Sequence, residues 1–461
     1  MAERKQKRAV IEVDEQLLND ISDLISSKSD VLLKNILADI YPSDIALIIN
    51  NLDSDDGLEL FKILPETTAS EVLLELNDHE RDKILDTLSP QEISSMVSEM
   101  YSDDAADVIS TLEDKKAVEV LDLMKKEDSS GVKELLTYDE HTAGGIMQKE
   151  FIDCKATDTI EEAVREIRNE ATNEDHLYHV WVTDEQRRLI GIVSLKDIIL
   201  ALETPQIHVS DIMNPEVISV DADTDQEEVA KIVQKYDLVT LPVVDKNKVL
   251  VGRISVDDIV DILETEFSED VAKIVGSDAE ELESKSPSQI AMLRLPWVLI
   301  TLGIEIFAGF VIKYYDDTLN KVILLASFMP IISAISGNTG LQAAAITVRA
   351  LATGHASISR WWEPVKRSFQ TSLIIGAVCG IVIGIVGGIW YGKFIFGFLV
   401  GFSMFLSINI SGLVGTSIPM VSKSFGFDPA ITAGPFETAF QDVVGISLFL
   451  TFATFLLRWL L

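Results

Sequence analysis

Residues 438–457 read TAFQDVVGISLFLTFATFLL, and their character decides what kind of fold the rest of the chain can have. The stretch is as long as the ~20 residues that a helix needs to cross a bilayer, and it is apolar apart from short polar side chains and one acid, Asp442. It belongs to a longer apolar run over 431–457, and four comparable runs precede it at 295–312, 322–346, 372–390 and 394–421. Five such runs predict an α-helical membrane part of five spans. A carboxylate at the centre of a bilayer costs about 2.5–3.5 kcal/mol, so Asp442 is expected to face a pore, a cavity or a partner rather than lipid.

The charge distribution divides the chain in the same place. Of 38 Lys+Arg and 74 Asp+Glu in 461 residues, only 10 basic and 7 acidic residues lie from Leu293 onward. The remaining 28 basic and 67 acidic residues give the preceding part a net charge of −39. Such a surface repels nucleic-acid phosphates and attracts cations. Arg349, Arg360, Lys366 and Arg367 cluster between the second and third apolar runs. By the positive-inside rule this loop is cytoplasmic, which puts the N-terminal head inside and the C-terminus outside a cell membrane crossed several times. Trp361, Trp362 and Trp390 stand where an interfacial aromatic belt is expected. Two cysteines, Cys154 and Cys379, suggest neither a disulfide framework nor a thiolate metal site. The opening MAERKQKRAV is basic without an apolar core, so no cleavable signal is expected there.

Within the head, residues from about 30 to 130 repeat short amphipathic units such as SDIALIINNL, PQEISSMVSEM and SDDAADVISTL, which predict stacked short helices. Ser89, Pro90 and Glu92 form a capping box at one helix start. A duplication follows. Asp184 and Asp245 each end a strand pattern, each is followed seven residues on by a glycine (Gly191, Gly252), and each copy then opens a helix with Ser-x-x-Asp. Thr159/Glu162 and Thr224/Glu227 are expected to cap the two copies' helices. This order resembles a tandem CBS pair, a small α/β unit that commonly binds adenine nucleotides or senses ions. In that resemblance Ser194, Asp197 and Asp258 hold a ribose, and Leu238 replaces an aromatic that stacks on adenine. ATP binding and an ATP-free pair are weighted equally. The acidic, helix-patterned segment that follows is read as a connector, with a solvated charged face as its simplest explanation.

Three acids fall in apolar runs: Glu305, Glu437 and Asp442. Glu437 is expected to reach the interface, and Glu305 has no assigned role. In the second run, GNTGLQ places Gly337, Asn338, Gly340 and Gln342 in an apolar segment. Close helix packing and a locally unwound, ion-lining backbone explain these residues about equally well.

The PIISAISGNTGLQAAAITVRALATG and DPAITAGPFETAFQDVVG segments, five spans and a helical-plus-CBS head together resemble the MgtE family of magnesium channels. The resemblance implies a multidomain homodimer in membrane lipid. Its parts are an all-α helical-repeat N-terminal domain (1–135), a tandem CBS pair (136–264), a connecting or plug helix (265–290) and a five-helix pore domain (291–461). It implies Mg²⁺ uptake along a pathway in which Asp442, Asn338, Gly337, Gly340 and Gln342 meet the ion. It further implies regulatory Mg²⁺ on Glu71, Asp103, Asp107, Asp225, Glu227, Asp237, Asp258, Asp261, Glu266, Glu269 and Asp270, closing the pore when intracellular Mg²⁺ is plentiful. Leu341, Ala345 and Gly434 depart from oxygen-bearing residues of the family, leaving carbonyls and Asp442 to carry selectivity. A cation exchanger, a broader Co²⁺, Mn²⁺ or Ni²⁺ transporter, and a membrane sensor that transports nothing are the rival functions. No P-loop, HExxH or nucleophile–base motif points to an enzyme.

Overall fold

The computed structural model describes residues 11, 13–170, 177–277 and 286–460. The chain divides into two compact units, Met1–Leu263 and Glu264–Leu461.

The first unit begins with ten short helices, from Glu15–Ser26 to Lys126–Leu135, each 8–12 residues long. Their ends follow from sequence. Ser89 accepts from the Glu92 amide while Glu92 reaches back to the Ser89 amide, giving the expected capping box. Asn77 caps the helix Asp78–Thr87 in the same manner through the Glu80 amide. Each helix is too short to be stable alone, so packing must hold it. Ile45, Ile48, Leu60, Val72, Leu73 and Ile93 are fully buried. They belong to a core that continues into Val229, Leu241, Val243 and Ile254 of the second CBS-like half. The helical repeat and that half therefore share one interior, whereas the first half packs its own core around Ile160, Val180 and Val182.

The duplication is visible in the sheets. Strands β1 (Asp153–Lys155), β2 (His179–Thr183) and β3 (Leu189–Ser194) form one three-stranded sheet, with β1 parallel and β3 antiparallel to the central β2. Strands β4 (Val220–Asp221), β5 (Thr240–Val244) and β6 (Leu250–Ser255) repeat that order and those directions. The paired aspartates close the hairpins. Asp184 accepts from the Gln186 and Arg188 amides, and Asp245 from those of Asn247 and Val249. One expectation is corrected. Thr159 and Glu162 form a capping box, but in the second copy the cap is Asp225, whose carboxylate accepts from the Glu227 amide. A carboxylate one residue later leaves Thr224 no capping role.

The helix Val256–Val275 begins directly after β6. Residues 265–275 thus form the end of a longer helix; of the rest of the sequence-assigned connector, 278–285 lie outside the described residues. Among the described residues, the second unit contains four helices long and apolar enough to span a membrane: Pro287–Tyr314, Leu325–Ala352, Trp362–Tyr391 and Phe394–Ser424. A fifth apolar helix, Pro435–Phe455, carries the opening stretch, and its apolar part Ala439–Phe455 is shorter. Phe328, Phe396, Phe449 and Leu450 fill the core between the second, fourth and fifth helices. No unwinding occurs at GNTGLQ, where the second helix runs unbroken from Leu325 to Ala352. Its glycines serve close packing instead: a Cβ on Gly340 would overlap Glu437, and one on Gly415 of the fourth helix would overlap the Gly340 carbonyl.

Candidate functional site: acids in the membrane and on the head

The second, fourth and fifth apolar helices meet along a seam of polar side chains. Ser333 donates to Asp442 Oδ1, and Glu305, from the first helix, brings its carboxylate to the same Asp442. Ser336 turns its hydroxyl to the Ile332 carbonyl at 2.7 Å, and Ser411 donates to the carbonyl of Ser336. Asp442 is half-buried and Glu305 exposed, so this pair is open to what surrounds the protomer. Two oxygens of opposing carboxylates at close range form a site whose charge a cation would relieve. The sequence left Glu305 without a role because periodicity cannot say which helix stands next to Asp442.

Helical phase separates the other residues of the motif. Ser333, Gly337 and Gly340 fall on one face of the second helix, and the two glycines are buried within the protomer. Asn338 and Gln342 lie about 140° and 180° around the helix from Ser333 and are exposed. Within one protomer they do not come together with Asp442. Glu437 corrects an expectation: it does not reach an interface with water but is fully buried, as is Gln441. The tight contact with Gly340 and Ser411 holds it inward.

Gly434 precedes the fifth helix, and a Cβ there would overlap the Ile274 carbonyl of the connector helix. A glycine is thus required by close backbone approach, which explains the departure at this position. Nearby, Lys273 bridges Glu269 at 2.5 Å and Asp428 at 2.9 Å. Glu266 and Asp270 are half-buried on the same helix.

In the first unit, the helix Ser102–Ser110 is anchored to the CBS-like pair. Ser102 Oγ donates to Glu150 at 2.8 Å and accepts from the Lys149 amide at 2.8 Å. This placement gathers carboxylates from distant parts of the sequence. Asp103, Asp104 and Asp107 lie near Asp258, with Asp257 and Glu150 close by. Burial first, and then the neighbouring acids, push the Asp103 carboxyl well above the usual range and Asp104 up to about 7. Asp258 is raised by the same burial, against hydrogen bonds from Ser255. Asp107 rises to about 6 by desolvation, opposed by Arg81; its side chain remains exposed, so solvent weakens the effect there. Gln148 donates to Asp258 at 3.3 Å, and Asp103 Oδ1 is buried without a partner among the described residues. The sequence missed Asp104, whose place in the cluster depends on how the helix docks.

The residues fit a hydrated Mg²⁺ better than a bare one. Among the described residues no three His, Cys, Asp or Glu side chains converge on one point, whereas Mg²⁺ is commonly held by one or two carboxylates and retained waters. The other sequence-assigned acids do local work. Asp225 caps a helix, Glu227 pairs with Lys231 at 2.6 Å, and Asp237 ends the same helix in a left-handed conformation. Glu71 and Asp261 are exposed.

A pocket of about 240 Å³ lies beside the cluster, lined by Tyr101, Gln148, Tyr178, Arg253, Ser255 and Asp257 among others. Its aromatic rings come from positions the sequence reading did not consider. Ser194 and Asp197 do not line it; they bond each other at 2.6 Å and cap the helix Leu195–Ala201.

An acidic CBS-bearing head joined to apolar helices with a carboxylate-lined seam defines a multi-pass membrane protein that handles cations. Comparison with known proteins narrows that class. The divalent cation transporter model of MgtE matches residues 329–452, the MgtE intracellular N domain matches 40–141, and the CBS domain matches 143–204 and 209–265. The magnesium transporter MgtE of Thermus thermophilus is 32% identical over 97% of this chain and 100% of its own length. Those of Enterococcus faecalis and Bacillus subtilis are each 33% identical over 72% of this chain and 73% of their own. A crystal structure of the cytosolic domain of the Mg²⁺ channel MgtE in complex with ATP superposes with a TM-score of 0.50 and 34% identity. It covers 53% of this chain and 99% of its own. The chain belongs to the MgtE family of magnesium transporters.

Proposed function

We propose that the protein conducts Mg²⁺ as a homodimer, with Asp442 as the residue that reads the ion and Glu305 as a second carboxylate beside it. The observation that carries this is the approach of Glu305 to a half-buried Asp442 fixed by Ser333. Mg²⁺ sheds water reluctantly, so carboxylates that meet a hydrated ion suit it better than a dry cage. Asn338 and Gln342, exposed on the far face of the second helix, meet the ion from another side or from a second protomer in this reading. Gly337 and Gly340 contribute through packing, by letting the helices approach.

In this reading the head is cytoplasmic, the C-terminus lies outside, and the four-part division at 135, 264 and 290 follows function. Residues 265–290 transmit the state of the head to the pore. The head senses intracellular Mg²⁺ chiefly at Asp103, Asp104, Asp107 and Asp258, where a bound ion relieves repulsion and favours the compact form. Glu71, Asp225, Glu227, Asp237, Asp261, Glu266, Glu269 and Asp270 complete the acidic field. The pocket lined by Tyr178 and Arg253 takes an adenine nucleotide, consistent with ATP in the related cytosolic domain.

Mg²⁺ flux into proteoliposomes tests the central assignment. Wild type should carry Mg²⁺ and Asp442→Asn should lose most of it; equal flux would reject the role of Asp442.

A further inference from the structure

Glu437 is the strongest unexplained feature of the membrane unit. Its side chain is fully buried, as is that of Gln441 one turn later. Among the described residues, neither carboxylate oxygen and neither amide atom has a hydrogen-bond partner; the Gln441 amide approaches the carboxylate without the geometry of a bond. A buried carboxylate with nothing to balance it is among the costliest arrangements a protein can hold, so it needs a positive charge or a proton.

The surroundings are built from oxygen. Ser411 Oγ and Glu437 Oε1 both crowd the position that a Cβ on Gly340 would take, so the absence of that carbon is what leaves room for them. The Ser411 proton is committed to the Ser336 carbonyl, which leaves the lone pairs of Ser411 Oγ free. Gln441 turns its amide toward the carboxylate, and a half-turn of that amide offers a second neutral oxygen. From the orphaned atoms and their closure, we infer that Glu437, Gln441 and Ser411 bind a small monovalent cation, Na⁺, inside each protomer.

Charge and size select the ion. One carboxylate with neutral oxygens balances one positive charge, and a divalent ion would leave a surplus in a low-dielectric interior. Mg²⁺ would also have to give up its water in a site closed to solvent. Na⁺ is the smaller ion for a site closed by packed helices. A proton would remove the charge as well, but only a bound cation makes stability depend on which salt is present.

The site is distinct from Asp442, and the experiment separates the two. Purified full-length protein in detergent with EDTA is unfolded thermally in NaCl or in choline chloride of equal ionic strength. Wild type should show a saturable rise in Tm with Na⁺, weaker with K⁺. Glu437→Gln should lose the rise, and Asp442→Asn should keep it. Equal Tm in both salts overturns the site, as expected if Glu437 carries only a proton. A rise that survives in Glu437→Gln, or disappears in Asp442→Asn, overturns it by placing Na⁺ elsewhere. If Glu437→Gln does not fold, radioactive Na⁺ binding decides. One ion per chain in both wild type and Asp442→Asn supports the site, and no binding rejects it.

Discussion

The head and the membrane unit both keep acids out of water, and they do so in opposite ways. In the head, Asp103, Asp104 and Asp258 stand beside one another, and each makes the next harder to ionise. In the membrane unit the acids are few: Asp442 meets Ser333 and Glu305, and Glu437 is sealed apart from them with Gln441 and Ser411. A cluster of repelling carboxylates near solvent is suited to binding and releasing a cation as its concentration changes. A fixed carboxylate with one acidic neighbour is suited to recognising an ion that passes. On the proposed function, sensing falls to one region and reading to the other.

The largest break in that comparison should come from Asp442→Asn, which should lower Mg²⁺ flux by roughly 100-fold, as expected for losing about 2.7 kcal/mol of ion contact. Glu305→Gln should lower it less, by roughly tenfold or about 1.4 kcal/mol. If Glu305→Gln proves the more damaging, the ion is read at Glu305. In the head, Asp103→Asn should raise the Mg²⁺ concentration needed to protect the full-length protein from protease by roughly tenfold, one charge-assisted ligand's worth.

The pH dependence has a definite sign. Burial, and then the neighbouring Asp258, push the Asp104 carboxyl up to about 7 from the ordinary 3.8, so the folded head holds a proton that the unfolded chain has released. Stability of the divalent-free head should therefore fall as pH rises from about 4 to about 7 and level off above that. Protease resistance measured at pH 5.5 and 8 in EDTA checks this, and Asp104→Asn should flatten the difference. Millimolar Mg²⁺ should restore resistance at pH 8. The smallest effect is expected at Lys273, whose partly exposed pairs with Glu269 and Asp428 contribute at most about 1 kcal/mol. Lys273→Met and Asp428→Asn should each shift Tm slightly, and the double variant should shift it no more than the larger single one. Additive shifts would show that the pair is not coupled.

Much of this arrangement was legible in the sequence. Apolar runs marked the spans, the repeated Asp and Ser-x-x-Asp marked the duplicated halves, and the expense of an acid in lipid singled out Asp442. Periodicity could not reveal which faces meet. It left Glu305 unassigned, sent Glu437 to an interface and overlooked Asp104, because each of those answers depends on a neighbouring helix. Capping was legible where one residue competes, as at Ser89, and misread where Asp225 stands beside Thr224. The glycines of GNTGLQ were legible as small but not as packed, since only the burial of Gly340 against Glu437 and Gly415 distinguishes the two.

One paired measurement tests the division of labour most directly: Mg²⁺ flux and Mg²⁺-dependent protease protection, recorded on the same proteoliposome preparations of Asp442→Asn and Asp103→Asn. Asp442→Asn should lose flux and keep protection at the wild-type Mg²⁺ concentration. Asp103→Asn should keep flux at low Mg²⁺ and need more Mg²⁺ for protection and closure. Loss of protection in Asp442→Asn, or wild-type closure in Asp103→Asn, would contradict that division.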